Sequence, residues 1–277
     1  MNTVHTGPAP AERSLIIIAE HPDEWHTTQA MDILASDYKP GDDEKDVIPF
    51  NFNEWIDVAV ANDWALTQPP DGNRWPRLYE GENLTYLFGD GPDTPARRRA
   101  HKLSGIIARY KRVVSLHGTE TEAQHAAYGV HTTTAAKGLA SLLGLTQALI
   151  VGGNSLWAKH PDVVGVELSK EGPLTINGLV KTLTLAAKSR NLSPVPEKPI
   201  DEYRYVGDIS AEMGRQFNLP RRVGLFTEVP APYGKIVATA LGLNGTPYAH
   251  TWNADAYETR TGYWGEICER VESSSLQ

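Results

Sequence analysis

The sequence predicts an α/β fold, a central sheet flanked by helices, followed by a small β-rich C-terminal domain. Three observations carry this expectation. Short apolar runs alternate with helix-period segments up to about residue 200. Two of those runs, Leu15–Ala19 and Arg112–Leu116, are each followed closely by a histidine. Beyond a proline-bearing stretch at residues 191–199, the apolar runs become short and are separated by Gly, Pro and Asn turns.

The elements follow in order. Residues 1–13 are polar and proline-bearing and read as a loosely attached N-terminus. Leu15–Ala19 is short, β-branched and bounded by polar chain, so it reads as a buried strand. Thr27–Ala35 has helical spacing through Ala30, Met31, Ile33 and Leu34. Asp37–Asp46 carries a Pro-Gly turn, and Val47–Phe50 is a short strand. Asn53–Ala65 has no clean period and reads as irregular or partly helical. Gln68–Arg77 holds several prolines and an Asp-Gly pair, which makes it a loop. Thr94–Tyr110 is an amphipathic helix, with Pro95 at its start and Leu103, Ile106, Ile107 and Tyr110 on one face. Arg112–Leu116 is a strand, Thr132–Leu143 a helix, Ala148–Val151 a strand and Asn154–Pro161 a loop. Val163–Leu168 is a strand and Pro173–Lys188 a helix. Residues 191–199 are the best linker, which divides the chain into domains 1–200 and 201–277. Tyr203–Ile209, Val223–Val229 and Lys235–Ala240 are the strand-like runs of the second.

Composition narrows the function. The 277 residues are 40% hydrophobic and 22% charged, ordinary for a globular protein with an ample core. One cysteine, Cys268, allows no intrachain disulfide and no thiolate metal site, so any metal must use His and carboxylate ligands. A net charge of -8 argues against general nucleic-acid binding. The basic run Arg97–Arg99 lies on a helix face. No secretory signal or membrane span is visible, so a cytoplasmic protein is expected.

The chemistry concentrates at Ser14–Glu24, SLIIIAEHPDE. His21 and Glu24 fall just past the end of the first strand, where open α/β sheets place ligands. His117 arrives at the end of a second strand. Two imidazoles and one carboxylate form a His₂Glu set, which holds a catalytic zinc and leaves one position for water. Asn73 and Arg74 lie side by side in the proline-rich loop, and an Arg fork suits a carboxylate. Glu167 lies within a strand. It reads either as an edge residue facing water or, at the end of a central strand, as a general base. Of the other histidines, His26 is nearest to the first ligands.

With these residues placed, the chain resembles the aspartoacylase / succinylglutamate desuccinylase family, a branch of the zinc carboxypeptidase-like fold. The resemblance rests on His21-Pro22-Asp23-Glu24 for H-x-x-E, Asp71-Gly72-Asn73-Arg74 for D-x-N-R, Ser115-Leu116-His117 for D-L-H, and Val164-Gly165-Val166-Glu167 for the strand with the catalytic Glu. Ser155–Pro161 is similar to the segment before that Glu. Tyr257, in Trp252–Tyr257, matches a substrate-contacting Tyr. The resemblance implies a mixed central sheet flanked by helices. It also implies one Zn²⁺ per chain on His21, Glu24 and His117, with Glu167 as catalytic base. Arg74 and Asn73 would serve the substrate carboxylate or the oxyanion, and Tyr257 the substrate.

Several positions depart from the family. The first motif reads Ala19-Glu20-His21-Pro22 where the family opens with glycines and has H-G-x-E, and Pro22 has no backbone N–H to donate. Ser115 replaces the Asp of D-L-H. Leu66 and Asn154 stand where aspartoacylase has substrate-binding arginines, which argues against N-acetylaspartate. The expected activity is amide hydrolysis of an N-acyl amino acid or similar small conjugate. Two alternatives stay open: a zinc carboxypeptidase acting on peptides, and a non-catalytic binding protein on the same scaffold. The expected partner is that small molecule, not nucleic acid or membrane; a homo-oligomer is compatible with the sequence.

Overall fold

Strand β1, Ser14–Ile18, is buried along its whole length, and its neighbours explain why. In the computed structural model it pairs in parallel with β3, Ile56–Val60, on one side and with β4, Arg112–Thr119, on the other. Strands enclosed like this are covered on both faces and read as continuous apolar runs. The structure describes residues 8–24, 26–39, 46–50, 53–70, 75–119, 128–130, 134–150, 154–169, 174–189, 200–210, 227–231, 234–239 and 263–271.

One mixed sheet holds the described strands in the order β2-β3-β1-β4-β7-β5-β6-β8-β11-β10-β9. Here β2 is Ile48–Pro49, β5 Tyr128–Val130, β6 Gln147–Ile150, β7 Val163–Ser169 and β8 Asp201–Ser210. The last three are β9 Thr227–Ala231, β10 Gly234–Thr239 and β11 Tyr263–Arg270. The central run β3-β1-β4-β7 is parallel. Alternation along these strands divides the core in two. Ile16, Ile18, Val58, Val114, Val164 and Val166 pack with α1 (Thr27–Leu34), α4 (Thr134–Leu142) and α6 (Ile176–Ser189). Leu15, Ile17, Ala59, Val113 and Val163 pack with α3 (Pro95–Ile107) and α5 (Leu156–Lys159) on the opposite face. This is the expected α/β architecture, a mixed sheet with helices on both faces.

The chain moves from β1 to β3 on one side, then crosses back to lay β4 on the other. The β1/β4 border is therefore a topological switch point, where the connections diverge and leave a crevice at the strand C-termini. Among the described residues, no helix is long and apolar enough to cross a membrane.

Two expectations are corrected. Asn53–Ala65 is not irregular: it contains β3 and the short helix α2, Asp63–Thr67. Asp57 breaks the apolar run and hides the strand. It is nonetheless buried, because Arg13 Nη1 donates to both its oxygens at 3.0 and 3.2 Å and Tyr110 Oη at 2.7 Å. Asn154–Pro161 is not a plain loop, because Ser155 caps α5 by accepting from Ala158 N. Strands β5 and β11 carry no legible pattern of their own. Residues 191–199 lie outside the described residues, and β8 joins the sheet beside β6 immediately after them.

Candidate metal centre

The path of the chain out of β1 sets the site. Ala19 has φ of 56°, a left-handed conformation that costs a non-glycine residue roughly 1–2 kcal/mol. It occupies the position where the family resemblance expects glycine. The turn drops Glu20 into the interior and brings His21 and Glu24 over the end of β4. Glu24 N bonds to His21 O at 3.1 Å, so the H-x-x-E segment closes on itself.

His21, Glu24 and His117 are brought together, all three buried, with one donor atom from each lying within 4.8 Å of the others. The carboxylate of Glu24 is the hinge. Its Oε2 accepts from Gly118 N at 2.8 Å. Its Oε1 then lies 2.9 Å from His21 Nδ1 and 3.6 Å from His117 Nδ1. A tetrahedral zinc with bonds near 2.0–2.2 Å would separate its ligand atoms by roughly 3.3–3.5 Å, so the donor types and spacing fit such an ion.

The electrostatics also call for positive charge. Arg77 Nη2 lies 3.0 Å from His21 Nδ1, and guanidinium can only donate, so that nitrogen is an acceptor. Two acceptors, His21 Nδ1 and Glu24 Oε1, then face each other at 2.9 Å. That contact needs a cation beside it. Arg77 supplies one, with Nη1 3.4 Å from Asp23 and 3.6 Å from Glu24. A bound metal would compete with Arg77 for these atoms. Burial opposes charge on His117, yet Glu24 and Glu20 more than offset it and hold the imidazole well above its ordinary pKa. Burial would raise Glu24, but His117 and His21 hold it well below the carboxylate range. Burial and the Arg77 charge push His21 down. His26, fully buried with Nε2 3.2 Å from Leu116 O, is pushed down to about 4, mainly by burial.

Glu167 lies on β7 in register with His117 on β4, so the two share one face of the sheet, and Glu167 is half-buried. Trp157 covers the neighbouring Gly165, with its ring centroid 5.8 Å from that of His117. Asn73, Arg74 and Tyr257 lie outside the described residues.

Sequence reasoning missed four residues at this site. Arg77 shares the loop of Arg74, and nothing in the sequence favours it over that residue. Asn62 donates to the Arg77 carbonyl at 3.1 Å and anchors that end of the loop. Glu20 stands in the sequence only as part of the departure from the first motif. Thr85, in the 3₁₀ turn Leu84–Tyr86, is more than sixty residues from His21 and had no signal.

No protein-family model matches the chain, and no curated protein matches it. Solved structures do. Succinylglutamate desuccinylase from Chromobacterium violaceum is 16% identical with a TM-score of 0.52, covering 95% of this chain and 86% of that one. The enzyme of the same name from Vibrio parahaemolyticus is 15% identical with a TM-score of 0.53, covering 96% and 84%. Murine aminoacylase 3 is 14% identical with a TM-score of 0.51, covering 95% and 97%. The chain shares its fold with the succinylglutamate desuccinylase and aminoacylase 3 structures, which is the fold that the motif resemblance implies.

Proposed function

We propose that this chain is a zinc-dependent amidohydrolase, a deacylase that cleaves the amide bond of an N-acyl amino acid or similar small conjugate. The observation that carries the reading is the buried His21, Glu24 and His117 set at the β1/β4 switch point, with Glu167 in register beside His117. The fold shared with a succinylglutamate desuccinylase supports the substrate class.

His21, Glu24 and His117 would hold the ion. Zinc bound there supplies Lewis acidity, lowering the pKa of a water to about 7 and polarising the amide carbonyl. Glu167 takes a proton from the attacking water as its oxygen bonds to the carbonyl carbon. Glu167 then gives that proton to the nitrogen as the C–N bond breaks, releasing an acid and an amine. Arg74 and Asn73 hold the substrate carboxylate or the oxyanion, and Tyr257 hydrogen-bonds the substrate. Arg77, once displaced from His21, offers a second guanidinium to the same anion. A carboxypeptidase would use the same groups on a peptide.

A second reading has its own support. Arg77 already satisfies His21 Nδ1 and Glu24, as it would in a metal-free binding protein. Elemental analysis of wild type and His117→Ala separates the two. About one zinc per chain, absent from the variant, with turnover of N-acyl amino acids in preference to peptides, is the expected result. A wild type that neither contains nor takes up zinc would overturn the hydrolase reading.

A further inference from the structure

Glu20 is one of the most deeply buried carboxylates in the described chain, and it lies on the Nε2 side of His117, away from the Nδ1 that faces Glu24. Ser115 Oγ donates to its Oε1 and lies 3.1 Å from His117 Nε2. Thr85 Oγ1 donates to its Oε2 at 2.8 Å and lies 3.1 Å from His21 Nε2. Each hydroxyl has one proton, which it gives to Glu20, so toward the imidazole it can only accept. Both rings must then carry a proton on Nε2, which leaves Nδ1 as the nitrogen that faces Glu24 and would ligate a metal. Asn83 Oδ1, 3.1 Å from His21 Nε2, accepts there too. Glu20 Oε1 is also 3.7 Å from His117 Nε2.

We propose that Glu20 is a positioning residue that fixes the orientation and tautomer of both ligand imidazoles at once, through Ser115 for His117 and through Thr85 for His21. This rests on the zinc reading for its purpose but not for its geometry. A glutamine reverses the logic at one end. Its NH₂ donates to one hydroxyl, which is freed to donate to Nε2, and that ring moves its proton onto the ligating Nδ1.

The test compares wild type, Glu20→Gln, Ser115→Ala and Thr85→Val by chelator competition for zinc and by ¹⁵N-histidine NMR. Glu20→Gln should weaken zinc about 10–100-fold, the usual cost of losing a group that orients a ligand histidine. Ser115→Ala should cost less in the Glu20→Gln background than in wild type. In zinc-loaded wild type, Nε2–H resonances of His21 and His117 should be protected from water exchange, and Glu20→Gln should lose protection at one or both. Zinc affinity within threefold of wild type, with both resonances unchanged, overturns the proposal. Should Glu20→Gln not fold, Ser115→Ala decides: it must weaken zinc and expose the His117 Nε2–H. Should wild type bind no zinc, the hydrolase reading fails separately. The metal-free His21 spectrum then decides, and an Nδ1–H tautomer in wild type overturns the proposal.

Discussion

Nη2 of Arg77 stands 3.0 Å from Nδ1 of His21, the nitrogen that a metal would need. The guanidinium brings its positive charge against His21 and Glu24, and a metal must displace it. Replacing Arg77 by Met should therefore tighten zinc binding severalfold in chelator competition. The same change should destabilise the metal-free protein by about 1–3 kcal/mol, because it leaves buried acceptors without a donor. A variant that binds zinc no better than wild type would show that Arg77 and metal do not compete.

Glu167 shares a sheet face with His117 but is no part of the donor set. Glu167→Gln should keep its zinc and lose about 10²–10⁴-fold in turnover, the usual contribution of a general base. The pair of readings, metal content and kcat, is what matters. Full activity in this variant would remove Glu167 from the chemistry.

Gly165 gives Trp157 its seat. A Cβ at 165 would stand 2.8 Å from the indole Nε1 and Cζ2, closer than real contacts allow. Gly165→Ala should cost about 1–3 kcal/mol in denaturant unfolding by overpacking. It should also move the indole off the His117 ring. An unchanged midpoint would mean that the strand or the helix gives way without cost.

Tyr110 Oη donates to buried Asp57 at 2.7 Å, far from the metal centre. Burial first, and then Asp57, raise the phenol well above its ordinary pKa. The folded state therefore holds this proton more tightly than the unfolded chain. Its stabilisation is complete below the unfolded pKa of about 10 and is lost as pH rises toward the higher folded value. Tyr110→Phe should be less stable by about 1–3 kcal/mol at pH 8, since the lost bond has a charged acceptor. It should also lose less stability than wild type between pH 9 and about 11. Parallel urea titrations at those pH values measure both.

The sequence by itself determined what is local. The H-x-x-E spacing places His21 and Glu24 on one turn, and the β-branched run before them declares a buried strand. His117 was legible because another such apolar run leads into it, although the strand itself continues to Thr119. Helices α1, α3, α4 and α6 were legible from apolar period and, for α3, from its proline start. Tertiary structure alone decided the rest. Asp57 looks like a break in an apolar run until Arg13 and Tyr110 arrive from distant segments to satisfy its charge. Arg77 rather than a nearer neighbour reaches His21, because Asn62 anchors its backbone beside the site. Glu20 acquires a role only when Ser115 from β4 and Thr85 from a remote turn meet its two oxygens. The physical reason is common to all three. A buried polar group is tolerated only with its partners, and partners that lie far apart in sequence leave no periodic trace.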